Sequence, residues 1–258
     1  MTPIKLMLAC KAEVEDVVFP CYVSPKIDGI RAYWKDGVFY SRNNKLIRNL
    51  EAQKYAQSMP AMYTGRILDG ELTVGSLNAP NVFARTQAIM GDQPLNNELT
   101  YWVFDEVGTQ KVFTARYEGL THRLTHGFIT DLRALRRELE SFLAEGYEGI
   151  MVRSPDAVYK HGRSTVKEQA LLKIKPTEDH EAVVVGFDPI DSEVKTGLGM
   201  LHVKNEFGEF SIGSGFTQKQ RDEFWELDVK LIGRLVTYTH AKGFPLRFPV
   251  FKGFREDI

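Results

Sequence analysis

One break in the hydrophobic pattern constrains the fold of this chain of 258 residues more than any other feature. Before Pro176-Thr177-Glu178-Asp179, predicted strands and helices follow one another, and after this segment short strands predominate. A chain of this length can form one large domain or two modest ones with their own cores. We therefore predict two domains, residues 1–177 and residues 178–258.

The second part is predicted to be mostly β-structure. Its apolar residues indicate short strands and one helix; the strands are Ala182–Phe187, Met200–Lys204, Glu209–Gly213 and Leu235–His240, and the helix is Gln218–Asp228. About five short strands with one helix are what a small oligonucleotide-binding (OB) barrel requires. A small sandwich would give a similar pattern and stays an alternative.

The first part contains both strand patterns and helix patterns. The predicted strands are Tyr22–Val23, Ile30–Lys35, Val38–Ser41, Arg66–Val74, Leu99–Val107, Tyr147–Arg153 and Leu171–Lys175, and the predicted helices are Asn49–Ser58, Asn81–Met90 and Asp131–Gly146. Side chains two positions apart on a strand point to the same side. Asp69 and Glu71 should therefore share one face, and Lys173 and Lys175 another.

Composition excludes several classes of protein. Hydrophobic residues make up 43% of the chain and charged residues 26%, as in an ordinary globular protein. The two cysteines, Cys10 and Cys21, form no Cys-x-x-Cys pair, which argues against disulfide scaffolds and zinc ribbons and favours a reducing compartment. No apolar run reaches the length of a membrane span or of a convincing secretory signal. We expect a cytoplasmic protein without a membrane partner.

Positive charge is concentrated in two segments although the net charge is −1. Residues 24–54 contain seven basic and three acidic residues, and residues 153–175 contain six basic and two acidic residues, so each segment carries +4. If the two segments meet in the fold, they make a surface that could follow a phosphate backbone. They could equally be unrelated solvated surfaces.

The segment Ser24–Arg31 contains the pattern Lys-x-Asp-Gly-x-Arg, which places a candidate nucleophile, Lys26, among other charges. A lysine becomes a nucleophile when burial or a neighbouring cation lowers its pKa. Arg31 could supply that cation, and Gly29 would let the backbone approach a ligand closely. Taken alone, the pattern is also compatible with a solvated hairpin edge.

Seven motifs, in this order and with this spacing, resemble those of the ATP-dependent DNA ligases, and most of all the small viral and phage members of that family of covalent nucleotidyltransferases. The motifs are Lys26–Arg31, Ser41-Arg42, Asp69-Gly70-Glu71, Phe104-Asp105, Glu148–Arg153, Lys173-Ile174-Lys175 and Arg247–Asp257. The resemblance covers almost the whole chain. It implies an α+β fold, with an adenylyltransferase domain of antiparallel sheets and helices followed by an all-β OB-fold domain.

The resemblance also implies an activity: sealing of 3′-OH/5′-phosphate nicks in duplex DNA through a lysyl-AMP enzyme and a DNA-adenylate. ATP and Mg²⁺ are the implied cofactors, with Mn²⁺ able to substitute, and nicked duplex DNA is the implied partner of a monomeric enzyme. The implied catalytic residues are Lys26, Asp28, Lys173 and Lys175. The implied nucleotide contacts are Lys26, Ile27, Arg31, Glu71, Phe104, Glu148, Arg163, Lys173, Lys175, Arg247, Arg255 and Asp257. The implied DNA contacts are Ser41, Arg42, Asp69 and Arg163, and the implied metal ligand is Glu148.

Two departures from the family pattern and four alternatives remain. The family's last motif often continues into lysine where Ile258 stands, and the chain between Phe187 and Met200 is too short for the long hairpin with which some viral members close around DNA. RNA ligases, capping guanylyltransferases and NAD-dependent ligases share the lysine chemistry. RNA ligases usually lack a barrel with this last motif, and capping guanylyltransferases tend to have Thr where Ile27 stands. NAD-dependent ligases need an additional N-terminal domain. A non-catalytic scaffold that binds nicks is the fourth alternative.

Overall fold

The computed structural model describes residues 3–79, 82–91, 93–96, 98–121, 123–190, 197–241 and 249–255. The chain forms two compact units, Met1–Ile174 and Lys175–Ile258. The predicted division after residue 177 remains a proposal about independent folding, which separate expression of the two parts would test. Among the described residues, no helix has the length and apolar character needed to cross a membrane.

The described residues of the first unit form short strands and four α-helices. Its strands are β1 (Met7–Leu8), β2 (Cys10–Lys11), β3 (Cys21–Pro25), β4 (Ile30–Lys35), β5 (Val38–Ser41), β6 (Ile67–Val74), β7 (Leu99–Val107), β8 (Gly127–Ile129), β9 (Ile150–Arg153), β10 (Gly162–Arg163) and β11 (Leu172–Ile174). Its helices are α1 (Leu50–Gln57), α2 (Val82–Thr86), α3 (Phe113–Glu118) and α4 (Leu132–Ala144), with 3₁₀ turns at Val14–Asp16, Ala61–Tyr63 and Gln87–Met90.

These strands form two main sheets. One is antiparallel with the order β5-β4-β6-β7, and the other has the order β2-β11-β9-β3-β8. The predicted antiparallel pairing holds for most neighbours, but β2 runs parallel to β11 and β1 parallel to β10. Two-residue strands such as β1 and β10 contain no period of alternation, so sequence patterning could not reveal these parallel pairs.

The β4–β5 hairpin illustrates how local sequence shapes the first sheet. Asp36 and Gly37 both adopt positive φ, at 47° and 79°, which is the conformation of a two-residue type I′ turn and suits an Asp-Gly pair. The turn sets the register in which Trp34 faces Phe39, and both rings are buried in the core of this sheet. Strand β6, which carries two candidate site carboxylates, pairs with the other edge of β4.

The described residues of the second unit form a five-stranded antiparallel sheet and one α-helix. Its elements are β12 (Thr177–Pro189), β13 (Leu198–Asn205), β14 (Gly208–Ile212), α5 (Gln218–Leu227), β15 (Leu235–Ala241) and β16 (Val250–Phe254). The strand order is β14-β13-β12-β15-β16. Ser214, just after β14, forms a parallel bridge to Val250, and Phe251 donates its N–H to the Ser214 carbonyl at 2.9 Å. The two edges of the sheet are thereby joined, as expected for the barrel and not for the alternative sandwich.

Two sequence-based predictions about motif residues are corrected. The strand predicted to begin at Tyr147 begins at Ile150, and Glu148 lies in the preceding turn, where Gly149 has a φ of 147°. The strand predicted to extend to Lys175 ends at Ile174, so the structure does not place Lys173 and Lys175 on one face of a strand. In both cases the predicted strand included polar residues next to its apolar run, and the observed strand does not.

Candidate active site

A cavity of about 260 Å³ in the first unit is lined by residues from six of the seven motifs. Among the described residues that line it, six carry positive charge: Lys26, Arg31, Arg42, Arg153, Arg163 and Lys173. Glu71 is the one acidic side chain in this lining, and Phe104 is its aromatic side chain. So many cations around one carboxylate favour a ligand with several negative charges, such as a polyphosphate.

Lys26 is placed by the pairing of β3 with β9. Pro25, the last residue of β3, lies opposite Ile150, and the Lys26 N–H donates to the Gly149 carbonyl at 2.8 Å. The turn before β9 therefore lies beside Lys26, and the Lys26 ammonium donates to Glu148 Oε2 at 2.5 Å. An ammonium must lose its proton before the amine can attack, so this ion pair has to open before Lys26 can act as a nucleophile.

Arg31 is held by the buried carboxylate of Asp69. Its Nε and Nη2 donate to the two Asp69 oxygens at 3.0 and 2.5 Å, and the Tyr159 hydroxyl donates to Asp69 Oδ2 at 2.6 Å. Asp69 has no exposed surface. The structure thus corrects the prediction that Asp69 contacts DNA, because its carboxylate is enclosed and already bound; it positions Arg31 at the cavity wall.

Glu71 has an unusual electrostatic environment. Burial raises its pKa to about 7, against the opposing effect of the nearby positive charges of Lys26 and Arg31. The close packing here also explains Gly29 in the lysine motif, because a Cβ on Gly29 would lie 2.3 Å from the Leu72 carbonyl oxygen. A larger residue at position 29 would push the lysine loop away from β6.

Phe104 lies on the half-exposed face of β7, near two guanidinium groups. The Cζ atoms of Arg31 and Arg153 each lie 5.4 Å from the centre of its ring. The structure places Phe104 in the lining of the cavity. An aromatic ring fixed in this way is a stacking surface for a base.

A buried network behind Phe104 was missed by sequence reasoning. Asp105 accepts hydrogen bonds from Arg116 Nε at 2.6 Å and from Arg153 Nη1 at 2.7 Å, and all three side chains are at least 97% buried. The sequence offered only a weak signal, namely Arg116 inside a short apolar helix and Arg153 at the end of a strand. Both positions are unfavourable for an arginine that has no buried carboxylate to bind.

The other predicted residues of the first unit fall at or near the cavity. Arg42 is exposed at the start of the turn after β5, and the Oγ of neighbouring Ser41 accepts the Lys45 N–H at 3.2 Å. Arg163 is exposed and donates to the Ala9 carbonyl at 2.8 Å. Ile27 is buried in the cavity wall, whereas Asp28 is half-buried in the loop before β4.

The remaining predicted residues belong to the second unit. Lys175 is its first residue. Arg255 follows β16 and forms an ion pair with Glu181 on β12. Arg247 and Asp257 lie outside the described residues.

The donor groups of the first unit fit a magnesium nucleotide. One aromatic ring, one acid and six cations in the lining of a single cavity suit a purine nucleoside triphosphate. Magnesium in proteins commonly takes one or two carboxylates together with substrate phosphates. The carboxylate of Glu148 contacts Lys26, one of the six cations of the cavity, and could serve as such a ligand.

Comparison with known proteins gives a consistent result. A family model described as an ATP dependent DNA ligase domain matches residues 6–175, and one described as a DNA ligase OB-like domain matches residues 192–255. The chain is 28% identical over 233 residues to a DNA ligase of Haemophilus influenzae, which covers 84% of this chain and 79% of that protein. A longer DNA ligase of Thermococcus fumicolans is 34% identical over 151 residues, or 26% of its length.

Two solved structures are similar along almost the whole chain. The Chlorella virus DNA ligase-adenylate is 32% identical, with a TM-score of 0.56, and the match covers 97% of this chain and 99% of that one. A structure from a study of Lig E DNA ligases, described as binding DNA with a minimal scaffold, is 26% identical, with a TM-score of 0.76 and the same coverage.

Proposed function

Because the chain belongs to the ATP-dependent DNA ligases, whose members seal nicks through an adenylate intermediate, we propose that Lys26 is the residue that carries AMP. Lys26 lines the cavity and its ammonium contacts the Glu148 carboxylate, and this contact is the observation that carries the proposal. Attack of its amine on the α-phosphorus forms a phosphorus–nitrogen bond and breaks the bond to pyrophosphate.

The proton of the Lys26 ammonium must leave before this attack. The Glu148 carboxylate lies within hydrogen-bond distance of the Lys26 ammonium. It could accept the proton, or it could release the ammonium and bind a metal ion in its place. We assign Mg²⁺, for which Mn²⁺ could substitute, to Glu148. Bound there, the ion would neutralise phosphate charge.

The cavity wall supports an assignment for each part of the nucleotide. Phe104 offers a face to the adenine, and Arg31 and Glu71 are placed to bind the ribose together with the Ile27 backbone. Lys173 and Arg163 offer positive charge to the phosphates, where charge develops during the transfer. We assign Lys175, together with Lys173, to the phosphates. Arg247, Arg255 and Asp257 are assigned to orientation of the leaving pyrophosphate, and Asp28 to the later steps.

Nicked duplex DNA is the proposed partner of the exposed cations. Arg42 and Ser41 are proposed to bind the 5′-phosphate of the nick, because Arg42 is exposed and also lines the nucleotide cavity. AMP on Lys26 then passes to that phosphate, and the 3′-hydroxyl displaces AMP to form the phosphodiester bond. We propose that the enzyme acts as a monomer in the cytoplasm.

Labelled ATP tests the proposal directly. With Mg²⁺, the parental protein should gain one AMP, and peptide mapping should place it on Lys26. Lys26→Ala should abolish this labelling and the sealing of ordinary nicks, yet still seal nicks that already carry AMP on the 5′-phosphate. Lys54→Ala is the matched control, because Lys54 is exposed on α1 and does not line the cavity.

Three results would contradict this assignment. Labelling of Lys26→Ala, or AMP mapped to another residue, would show that a different nucleophile is used. A parental protein that binds nicks but is never adenylated would favour the non-catalytic scaffold.

A further inference from the structure

The barrel of the second unit contains a group of metal-ligating side chains that the ligase reaction does not use. Among the described residues, Glu178, His180 and His240 form the one group of three such side chains whose donor atoms all lie within 4.8 Å of one another. They come from two neighbouring strands. Glu178 on β12 lies directly opposite His240 on β15, and His180 follows two positions later on the same face of β12.

Their position in the barrel is unexpected for polar side chains. The same inward-facing rows contain Ala182 and Val184 on β12 and Val236 and Tyr238 on β15, each at most 2% exposed and part of the barrel core. Towards one end of the barrel this apolar alternation is replaced by a carboxylate and two imidazoles. His240 is itself 2% exposed. Burial of the His240 imidazole beside a carboxylate and a second imidazole is costly unless these groups bind one another or a shared ligand.

We propose that Glu178, His180 and His240 bind a divalent transition-metal ion, for which Zn²⁺ is the best match. Two imidazoles with one carboxylate are a donor set that zinc accepts, whereas Mg²⁺ prefers oxygen ligands only. The Mg²⁺ of the ligase reaction should therefore compete poorly for this site. The fourth position can be taken by water or by Glu206, whose Oε1 lies 3.8 Å from His180 Nδ1.

The geometry requires only a small movement. Zinc bonds of about 2.0–2.1 Å in a tetrahedron hold the ligand atoms about 3.4 Å apart. Separations of up to 4.8 Å must therefore close by about 1–1.5 Å. Glu178 is half-buried and the His180 side chain is 32% exposed, so rotation of these two side chains can bring them towards the more firmly enclosed His240.

Such an ion would join β12 to β15 and bind only when the two strands are paired. A ligand that binds the folded state alone raises stability as its concentration exceeds the dissociation constant. The site is therefore inferred to stabilise the barrel, and this inference does not depend on the role of Lys26.

The test uses the full chain, freed of metal by chelator and dialysis. Zn²⁺ affinity is measured by competition with a chromophoric chelator in excess Mg²⁺, and Co²⁺ is used to read the coordination geometry from its visible spectrum. Glu178→Gln and His180→Gln are the variants, because these side chains are less enclosed than His240, and circular dichroism checks their fold. His202→Gln is the matched control, since His202 lies in the same barrel with one carboxylate, Asp188, at 2.8 Å from its Nε2.

The parental protein and His202→Gln should bind one Zn²⁺ and show the strong absorption of tetrahedral Co²⁺. Removal of a group that hydrogen-bonds to a metal ligand typically lowers metal affinity about 10–100-fold. Removal of a ligand itself should therefore lower Zn²⁺ affinity at least about 100-fold. Glu178→Gln and His180→Gln should also lose the rise in thermal midpoint that Zn²⁺ gives the parental barrel. No Zn²⁺ binding by the parental protein, or parental affinity in both variants, would show that these residues are only a polar end to the barrel.

Discussion

Replacement of Asp105 by asparagine tests whether the buried ion pairs of Asp105 hold the candidate active site in place. The Asp105 carboxylate neutralises Arg116 and Arg153, which contact its two oxygens at 2.6 and 2.7 Å. Asn has the same shape but no charge, and its amide group would bring an N–H donor towards one of the guanidinium groups. Asp105→Asn therefore leaves two buried cations without their counter-charge.

The cost can be estimated from the contacts that remain. Removal of one partner from a buried ion pair typically costs about 3–5 kcal/mol. Arg116 Nη1 keeps the carbonyls of Lys111 and Ala157, at 2.6 and 2.8 Å, and Arg153 keeps its contacts with aromatic rings. These contacts place the expected loss near the lower end, at about 3 kcal/mol. That is a large part of the roughly 5–15 kcal/mol by which proteins are stable.

Glu106→Gln is the matched control on the same strand. Glu106 also binds an arginine with both oxygens, Arg66 at 3.0 and 2.7 Å, but the two side chains are 15% and 23% exposed. A pair in contact with water should contribute at most about 1 kcal/mol. Because both carboxylates bind arginine through two oxygens, the difference in stability loss between the two variants measures the effect of burial.

Urea unfolding followed by tryptophan fluorescence measures both losses, because Trp34 and Trp102 report on the first unit. Asp105→Asn should also raise the ATP concentration needed for half-maximal adenylation, since Arg153 flanks Phe104. If Asp105→Asn unfolds at the same urea concentration as Glu106→Gln, the buried network does not hold the site together and the reasoning is refuted.

Three further predictions concern single side chains. Burial raises the pKa of Glu71 from 4.5 to about 7. The contribution of Glu71 to the free energy of unfolding is therefore fully present below pH 4.5 and is lost as the pH rises through 7. The urea midpoint of the parental protein should fall over this pH range, and that of Glu71→Gln should lack this decline. Arg42→Ala should keep Lys26 adenylation but slow AMP transfer to a phosphorylated nick about tenfold or more. Single-turnover assays measure the two steps separately, and an equal effect on both steps would contradict the assignment of Arg42. Tyr159→Phe leaves one buried acceptor of Asp69 less satisfied and should cost about 1–3 kcal/mol in urea unfolding, whereas a change below 0.5 kcal/mol, on the order of a surface substitution, would contradict it.

The sequence predicted the elements whose signals are local. Strands β4, β5 and β7 have the predicted bounds, because alternation of apolar residues and an Asp-Gly turn are set by neighbouring residues. Helix α4 begins after Asp131, whose Oδ1 accepts the Ala134 N–H at 2.8 Å as a cap. Sequence reasoning failed where the signal was not local, as for Glu148, which Gly149 separates from the strand predicted to contain it.

The candidate site divides in the same way. Lys26, Glu71 and Phe104 were predicted from motifs that the chain shares with the ligase family, and all three line the cavity. Arg116 and Tyr159 were missed because they act through another side chain, and their partners are 11 and 90 residues away in the sequence. Such contacts depend on the register of strands that pair only in the folded chain.

These two groups of residues have different mechanical properties, and this difference bears on how the site works. Arg31 and Arg153 are each bound to a fully buried carboxylate, so the two cations around Phe104 are fixed before a nucleotide arrives. Lys26, with 21% of its side chain exposed, instead ends in an ion pair that must open for reaction. A rigid wall that binds the base reduces the ordering needed on binding, whereas a reactive lysine must move from carboxylate to phosphorus. The buried carboxylates Asp69 and Asp105 therefore serve the proposed reaction by fixing the wall and leaving the movement to Lys26.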